Sequence, residues 1–321
     1  MKMTIRTSAL ALAAVLAAAT PAALSAKDDP KTASSKASNP DSPQAIPPEL
    51  VALEKSLHPQ TGDVRIPAAK AVLHLGDRYY FLPAGEAKQV LTEVWRNPPD
   101  AVQDVLGLVL SKDATIFDNV WGAVITYHAS GYVQDKDAQQ QDYSKVLADM
   151  QSGDAADNER RKAAGYPTMS LIGWAQPPSY NQADHSLIWA REIAMEGEPD
   201  HGLNYDVRLL GREGVLSLNM VSSMPALADV RGAAQAFGKA VTFEPGATYA
   251  DYNASTDKTA EYGLAGLVAG GAAVAVASKL GILALILKFA KLIIIGVLAF
   301  GAAAFAVVRK FFGGKRDEDT I

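Results

Sequence analysis

The sequence predicts an α+β domain, mainly antiparallel sheet with flanking helices, followed by C-terminal hydrophobic helices that include a transmembrane span. Three observations lead there. From residue 71 to residue 221, short apolar runs follow one another across brief Gly-containing connections such as Gly211-Arg212-Glu213-Gly214, the pattern of antiparallel strands. Segments with helical apolar spacing and Pro or Asp starts lie among these runs. The stretch Leu292–Val308 then runs 17 residues without a charge. As a helix it measures about 25 Å, close to a hydrocarbon core.

Residues 1–26 have the three parts of a secretory signal: Lys2 and Arg6, an apolar run from Ala9 to Ala19, and a small-residue region ending at Ala26. The apolar run is too short to span a bilayer, which takes about 20 residues. Residues 27–47 are rich in Pro, Ser, Lys and Asp and read as a flexible linker. The exported domain occupies 48–260. Its first helix covers Pro47–Leu57, and Ala71–Leu75 with Tyr79–Leu82 form an expected hairpin around Gly76-Asp77-Arg78. A helix over Glu86–Trp95 closes at Asn97-Pro98-Pro99. Strands are expected at Val105–Leu110, Val120–Tyr127, Met169–Ala175, Leu187–Met195, Tyr205–Leu210 and Val215–Val221. Helices are expected at Tyr143–Met150, with Asp142 as N-cap, and at Met224–Phe237.

Residues 261–291 are Gly/Ala-rich and interrupted by Lys279, the expectation being a membrane-proximal helix, with a second span as the alternative. Gly266-x-x-x-Gly270 is the spacing by which two helices approach closely, so this helix is where self-association into a homo-oligomer is expected. Residues 292–308 are the transmembrane helix, through which the chain meets the lipid bilayer, and 309–321 form a basic then acidic tail. Arg309, Lys310, Lys315 and Arg316 favour the cytoplasm, which with a cleaved signal gives one span, N-terminus out and C-terminus in.

The net charge of −5 is an average of unlike parts. Residues 27–260 carry 21 basic and 31 acidic side chains, a net of −10, whereas the chain from Lys279 onward carries 7 basic and 3 acidic, a net of +4. An acidic exported domain excludes general nucleic-acid binding. The absence of cysteine excludes disulfides, cysteine-ligated zinc and a thiol nucleophile.

No catalytic residue is identified. His58, His74, His128, His185 and His201 stand in no metal-binding spacing, and neither a metal nor another cofactor is expected. His128 follows a strand and precedes Asp135 and Asp137, which raises a general-base role against the commoner one of a hydrogen-bonded loop histidine. Asp135-Lys136-Asp137 has the alternate carboxylates of some calcium loops but not the closing Glu, and a polar turn accounts for it. There is no Gly-x-Ser-x-Gly elbow, P-loop or dinucleotide fingerprint. The strongest cluster is polar and aromatic: Trp174, Tyr180, Trp189, Asn204, Tyr205, Arg208 and Arg212, on or beside consecutive strands. Such residues form binding surfaces for a peptide, glycan or partner domain. The competing reading places the tryptophans in the core and pairs the arginines with nearby carboxylates.

A further set of residues carries a resemblance. In order they are Gly131-Tyr132-Val133, Asp135 and Asp137-Ala138; Asn158, Arg161 and Gly165-Tyr166; Gly173-Trp174-Ala175, Pro178 and Tyr180; and Leu187 with Trp189-Ala190. Leu203-Asn204-Tyr205, Arg208 and Leu210-Gly211-Arg212 follow, then Gly246, Tyr249, Asp251, Asp257-Lys258, Ala260 and Tyr262-Gly263. Over roughly residues 45–290 the chain resembles the bacterial predicted membrane-anchored proteins of domain of unknown function 2167, with Thr259 where an aliphatic residue is expected. The resemblance implies export and a C-terminal anchor, hence the bacterial inner membrane with the main domain in the periplasm. It implies no reaction. The leading expectation is therefore a non-enzymatic binding module with an envelope protein as partner, the alternative being an envelope hydrolase that uses carboxylates or His128.

Overall fold

The structure is a computed structural model that describes residues 46–118, 120–136, 138 and 141–270. The chain divides into two compact units, 1–272 and 273–321, and the second lies outside the described residues. So do the residues expected to form the signal, the transmembrane span and the tail, and nearly all of the expected linker. Among the described residues no helix is long and apolar enough to cross a membrane.

Seven antiparallel strands form the main sheet, in the order β3-β4-β5-β9-β8-β7-β6: β3 (Tyr79–Pro83), β4 (Val105–Ser111), β5 (Gly122–His128), β6 (Met169–Asn181), β7 (Ser186–Met195), β8 (Gly202–Leu210) and β9 (Val215–Ser223). A second sheet has the order β1-β2-β10, from β1 (Asp63–Ile66), β2 (Ala71–His74) and β10 (Val241–Phe243). Helices α1 (Pro48–Ser56), α2 (Ala84–Gln89), α3 (Tyr143–Gln151), α4 (Asp154–Ala163), α5 (Leu227–Lys239) and α6 (Leu264–Val268) complete the described chain. The α+β class and the antiparallel sheet are as the sequence predicts.

Alternation along the central strands sorts side chains onto two faces. On one face Leu203, Tyr205, Val207 and Leu209 of β8 lie with Leu216, Leu218 and Met220 of β9 under Val230, Ala234 and Phe237 of α5 and under Leu73 of the small sheet. The other face is divided. Leu82, Leu108, Leu110 and Val124 pack beneath α2 and the π-helical turn Val90–Val94, while Leu187, Trp189 and Leu210 pack against Val133, Tyr249 and α6.

Two expectations are corrected. The hairpin of Ala71–Leu75 with Tyr79–Leu82 does not form: β2 pairs with β1 and β10, while β3 pairs with β4. The tight connection is one strand earlier, where Pro67–Ala69 and Lys70 at φ 49 fold β1 onto β2, and Gly76 at φ 58 sends the chain to the other sheet. The globular domain, expected to end at 260, also continues beyond it. Leu264, Leu267 and Val268 are buried in the core beside Tyr249, so the start of the Gly/Ala-rich segment belongs to the globular fold rather than to a lipid-facing helix. Gly266 faces Tyr262, whose Cβ lies 2.7 Å from where a Gly266 Cβ would stand, and Gly270 has φ 118 beyond the end of α6. The two glycines therefore do not lie on one continuous helix.

The edge strand β6 runs six residues past its expected end because bulges accommodate Pro177 and Pro178 on an edge that needs no donor there. Its start is covered by side chains. The Asn158 carboxamide donates to the Met169 carbonyl at 2.6 Å and accepts from the Met169 amide at 2.8 Å, as a neighbouring peptide would, and Asp154 accepts from the Leu171 amide at 2.8 Å. Helix α4, which carries them, buries no residue and has no apolar period in the sequence.

Two glycine substitutions distinguish tight packing from free space. A Cβ at Gly214 would lie 2.1 Å from the His128 carbonyl oxygen, whereas one at Gly232 on α5 meets nothing within 4 Å. Gly214→Ala is expected to cost about 1–3 kcal/mol through forced backbone shifts. Gly232→Ala is expected to be neutral or to gain up to about 1 kcal/mol from helix propensity. Urea unfolding of both variants checks the pair.

Candidate functional site

The centre of the divided sheet face is polar. Asp206 on β8 is fully buried, and three donors converge on it: Arg191 Nη2 at 3.1 Å, Arg208 Nη2 at 2.7 Å and Asn219 Nδ2 at 2.9 Å. Asn204 Oδ1 accepts from Arg191 Nη2 at 2.8 Å and from Asn219 Nδ2 at 2.7 Å, and Arg208 Nη1 donates to Ser217 Oγ. Arg208 also lies over the Trp189 ring, 5.3 Å from its centroid, a cation–π contact. Register places these groups together, since Asp206 is directly opposite both Trp189 and Asn219, and Asn204 opposite both Arg191 and Val221. His128 ends β5 on the same face. Burial, and then the positive charge of Arg208, hold its imidazole below the usual histidine pKa, so its neutral form is favoured.

A second cluster sits where the β6–β7 turn, the 129–142 loop and the 246–262 segment meet. Tyr180 Oη donates to Asp135 Oδ2 at 2.8 Å and lies 3.1 Å from His185 Nδ1. With the hydroxyl proton directed at Asp135, the Tyr180 oxygen is left to accept from His185 Nδ1. His185 has φ 49, in the left-handed region that a side chain seldom adopts, and its ring stacks on Tyr249 at 4.1 Å. Tyr132 stacks between Tyr249 at 4.3 Å and Tyr252 at 3.8 Å. Burial first, and then the hydrogen bond to Asp135, raise the Tyr180 phenol; burial is also the foremost cause at Tyr249, and both stay protonated. The backbone fixes the ladder. The Tyr132 amide donates to the Lys258 carbonyl at 2.8 Å and its carbonyl accepts from the Ala260 amide at 2.9 Å. Gly131, at φ 91, passes so close that a Cβ would lie 2.4 Å from the Lys258 oxygen. Beside it Arg212 holds Asp257 with two hydrogen bonds of 2.7 and 2.9 Å, which keeps that carboxyl well below the usual carboxylate pKa.

The residues singled out in the sequence therefore separate. Asn204, Arg208 and Trp189 join the sheet-centre network. Asp135 and Tyr180 join the tyrosine–histidine cluster, and Trp174 is half-buried at its margin with Nε1 donating to the Tyr143 carbonyl at 3.1 Å. Arg212 is in the Asp257 clamp. Tyr205 points to the opposite face, where Oη donates to Gln176 Oε1 at 2.8 Å. Asp137 lies outside the described residues. Sequence reasoning missed Arg191, Asp206 and Asn219, although the polar alternation Asn204, Asp206, Arg208 between apolar neighbours marks a polar sheet face. It missed His185 and Tyr249, which lie far apart along the chain. His58, His74 and His201 pair with Glu86, Asp63 and Glu192 at distances of 2.9, 2.8 and 2.6 Å. Among the described residues no group of His, Asp and Glu could hold a metal ion.

Two predictions follow from these networks. Asp206→Ala leaves two buried guanidinium groups without their shared carboxylate and should cost about 3–5 kcal/mol in urea unfolding. For His128, the unfolded chain titrates at about pH 6.5 while the folded pKa is lower, so the unfolded state binds more protons across the interval between the two. Its contribution is complete above about pH 6.5 and is lost as pH falls through the folded value. His128→Gln should remove that part of the acid destabilisation, read as a flatter curve of unfolding free energy against pH.

Comparison with curated proteins gave no match. Among solved structures the chain is similar to the solution structure of cyanobacterial PsbP (CyanoP) from Synechocystis sp. PCC 6803, at 6% identity, with 57% of this chain and 91% of that chain covered and a TM-score of 0.33. At that overlap nothing about function carries across. The model of a family described as a protein of unknown function, DUF2167, matches residues 58–301, well over half of the chain, and the chain belongs to that family.

Proposed function

We propose that this protein is a recognition module of the bacterial envelope, exported by its N-terminal signal, anchored by residues 292–308 and displayed on the outer face of the inner membrane, where it binds an envelope component without catalysing a reaction. One observation carries the binding part of the reading. Tyr252, Tyr132, Tyr249 and His185 form a continuous stack at one end of the domain, with Tyr252, Tyr132 and His185 partly exposed. Rigid, part-exposed aromatic rings bordered by held polar groups supply contact area at small entropic cost. The carboxylates nearest them are already engaged: Asp135 accepts from Tyr180 and Asp257 from Arg212. The partner this arrangement suits best is another envelope protein. The export and anchoring parts rest on the signal-like residues 1–26 and on the apolar stretch with its basic flank.

The hydrolase alternative has a more favourable base in His185 than in His128, because His185 is linked through Tyr180 to Asp135 whereas His128 faces Arg208. His185→Gln separates the readings: loss of a hydrolytic activity with binding retained would favour the hydrolase.

Two measurements test the proposal. A reporter active only outside the cytoplasm should work when fused near Gly246 and be silent after Lys315; silence at Gly246, or activity at both positions, overturns the topology. Pull-down of the full chain from solubilised membranes should recover a reproducible envelope partner, and Tyr132→Ala with Tyr252→Ala should deplete it about tenfold. Equal recovery by the double variant rules out the tyrosine stack as the binding surface.

A further inference from the structure

Away from both clusters, an open groove of about 630 Å³ lies between the start of β3, the end of β4 and α5, within the size range of small-ligand sites. One wall is aromatic. Tyr79 and Trp121 line it, and both are braced from behind by Phe237, whose ring centroid is 4.9 Å from Tyr79 and 5.8 Å from Trp121. The opposite wall is the small-residue side of α5, where Ala228, Gly232 and Ala236 leave the helix backbone approachable. The rim carries Asp77, Arg78, Lys112, Asp113 and Asp229.

The rim differs from the two clusters above in one respect. The side chains of Asp77, Lys112, Asp113 and Asp229 have no hydrogen-bond or ion-pair partner among the described residues, and Arg78 makes only a contact over the Tyr79 ring at 5.6 Å. Their donors and acceptors are unused. Three carboxylates and two cations interleave there, so the groove selects neither an anion nor a cation outright. Its shallow Ala/Gly wall offers no deep hollow for an apolar anchor residue of a peptide. Addition of a strand is hindered as well, because Gln60 already pairs with Phe81 on the open side of β3 through two hydrogen bonds of 2.8 Å. A ligand with one flat apolar face and an edge of hydroxyl and amide groups matches both the aromatic wall and the mixed rim.

We infer that this groove binds a short stretch of neutral saccharide, with a pyranose ring against Trp121, Tyr79 tilted beside it, and its hydroxyl or N-acyl groups hydrogen-bonded to the rim carboxylates and cations. The inference goes beyond the recognition reading, adding a second contact of the same module at another site and with a different chemistry.

The test uses the full chain in mild detergent and two probes, the N-acetylglucosamine trimer and cellotriose, with affinity read by calorimetry and contact by saturation-transfer NMR. At least one trisaccharide should bind. Trp121→Ala should weaken it about tenfold by removing the stacking wall. Because Trp121 also touches Phe237, a second variant keeps the fold intact: Gly232→Gln projects a side chain from α5 into open space and raises helix propensity. It should abolish binding while the unfolding transition is unchanged or higher, and Ile172→Ser, on exposed β6, should bind as the parent does. Failure of both probes to bind, or undiminished binding by folded Gly232→Gln, overturns the inference. Those results leave the partner pull-down and the reporter topology standing, whereas a cytoplasmic reporter result overturns the localisation and leaves saccharide binding to be judged by Gly232→Gln.

Discussion

A single buried carboxylate constrains the rest of the domain. Asp206 lies at the middle of the sheet with no exposure, and its two oxygens are shared among Arg191 on β7, Arg208 on the same strand and Asn219 on β9. Unpaired, such a charge would be prohibitive in the interior; paired, it joins three strands in one register. A slip of one residue in β8 would turn Asn204, Asp206 and Arg208 into the apolar layer beneath α5 and bring Tyr205 and Val207 to the polar face. The network thus ties the register of β8 to that of β7 and β9.

That alignment has consequences at both ends of the sheet. In the row that pairs Ser217 with Arg208 and Arg208 with Leu187, the next residue is Tyr180 on the edge strand. Two strand spacings of about 4.8 Å separate Arg208 from Tyr180 along the row, so the register that satisfies Asp206 also sets where the Tyr180 hydroxyl reaches Asp135. Around Tyr180 the chain returns three times, through Tyr132, His185 and Tyr249, before α6 closes the apolar space with Leu264, Leu267 and Val268. The Gly/Ala-rich segment thus begins as a core element and takes its first residues from the same cluster that holds the aromatic stack.

Much of the sheet was legible because its signal is local. Val105–Leu110, Leu187–Met195 and Val215–Val221 are short runs dominated by β-branched and apolar residues that match strands within two residues at either end, and Asp142 caps α3 by accepting from the Ser144 and Lys145 amides. What was not legible depends on distant partners. Nothing within Ala71–Leu75 and Tyr79–Leu82 distinguishes a hairpin from two strands that part at Gly76; the decision is made by β1, only four residues long, and by β10, some 170 residues downstream. The candidate site divides in the same way. Asn204 and Arg208 fall on one face of β8, while alternation turns Tyr205, named with them in the sequence, to the face beneath α5. His185 and Tyr249 acquire meaning only from the ring stack.

Binding requires polar capacity that folding has not already used, and this separates the three polar regions of the domain. In the sheet centre the Asp206 and Asn204 oxygens are engaged by Arg191, Arg208 and Asn219, and a ligand would have to break those bonds to reach them. At the tyrosine–histidine end the carboxylates are likewise committed, while Tyr132, Tyr252 and His185 stay partly exposed, so contact there is made mainly by aromatic area. Along the α5 groove the position is reversed: Asp77, Lys112, Asp113 and Asp229 are exposed without partners among the described residues, and hydrogen bonds to a ligand replace bonds to water rather than bonds within the fold. Such exchanges are individually modest, so affinity in the groove depends on the aromatic wall and specificity on the rim. Phe237 joins the two levels, since it braces Tyr79 and Trp121 on one side and is buried against the sheet on the other, making the groove's wall a continuation of the core.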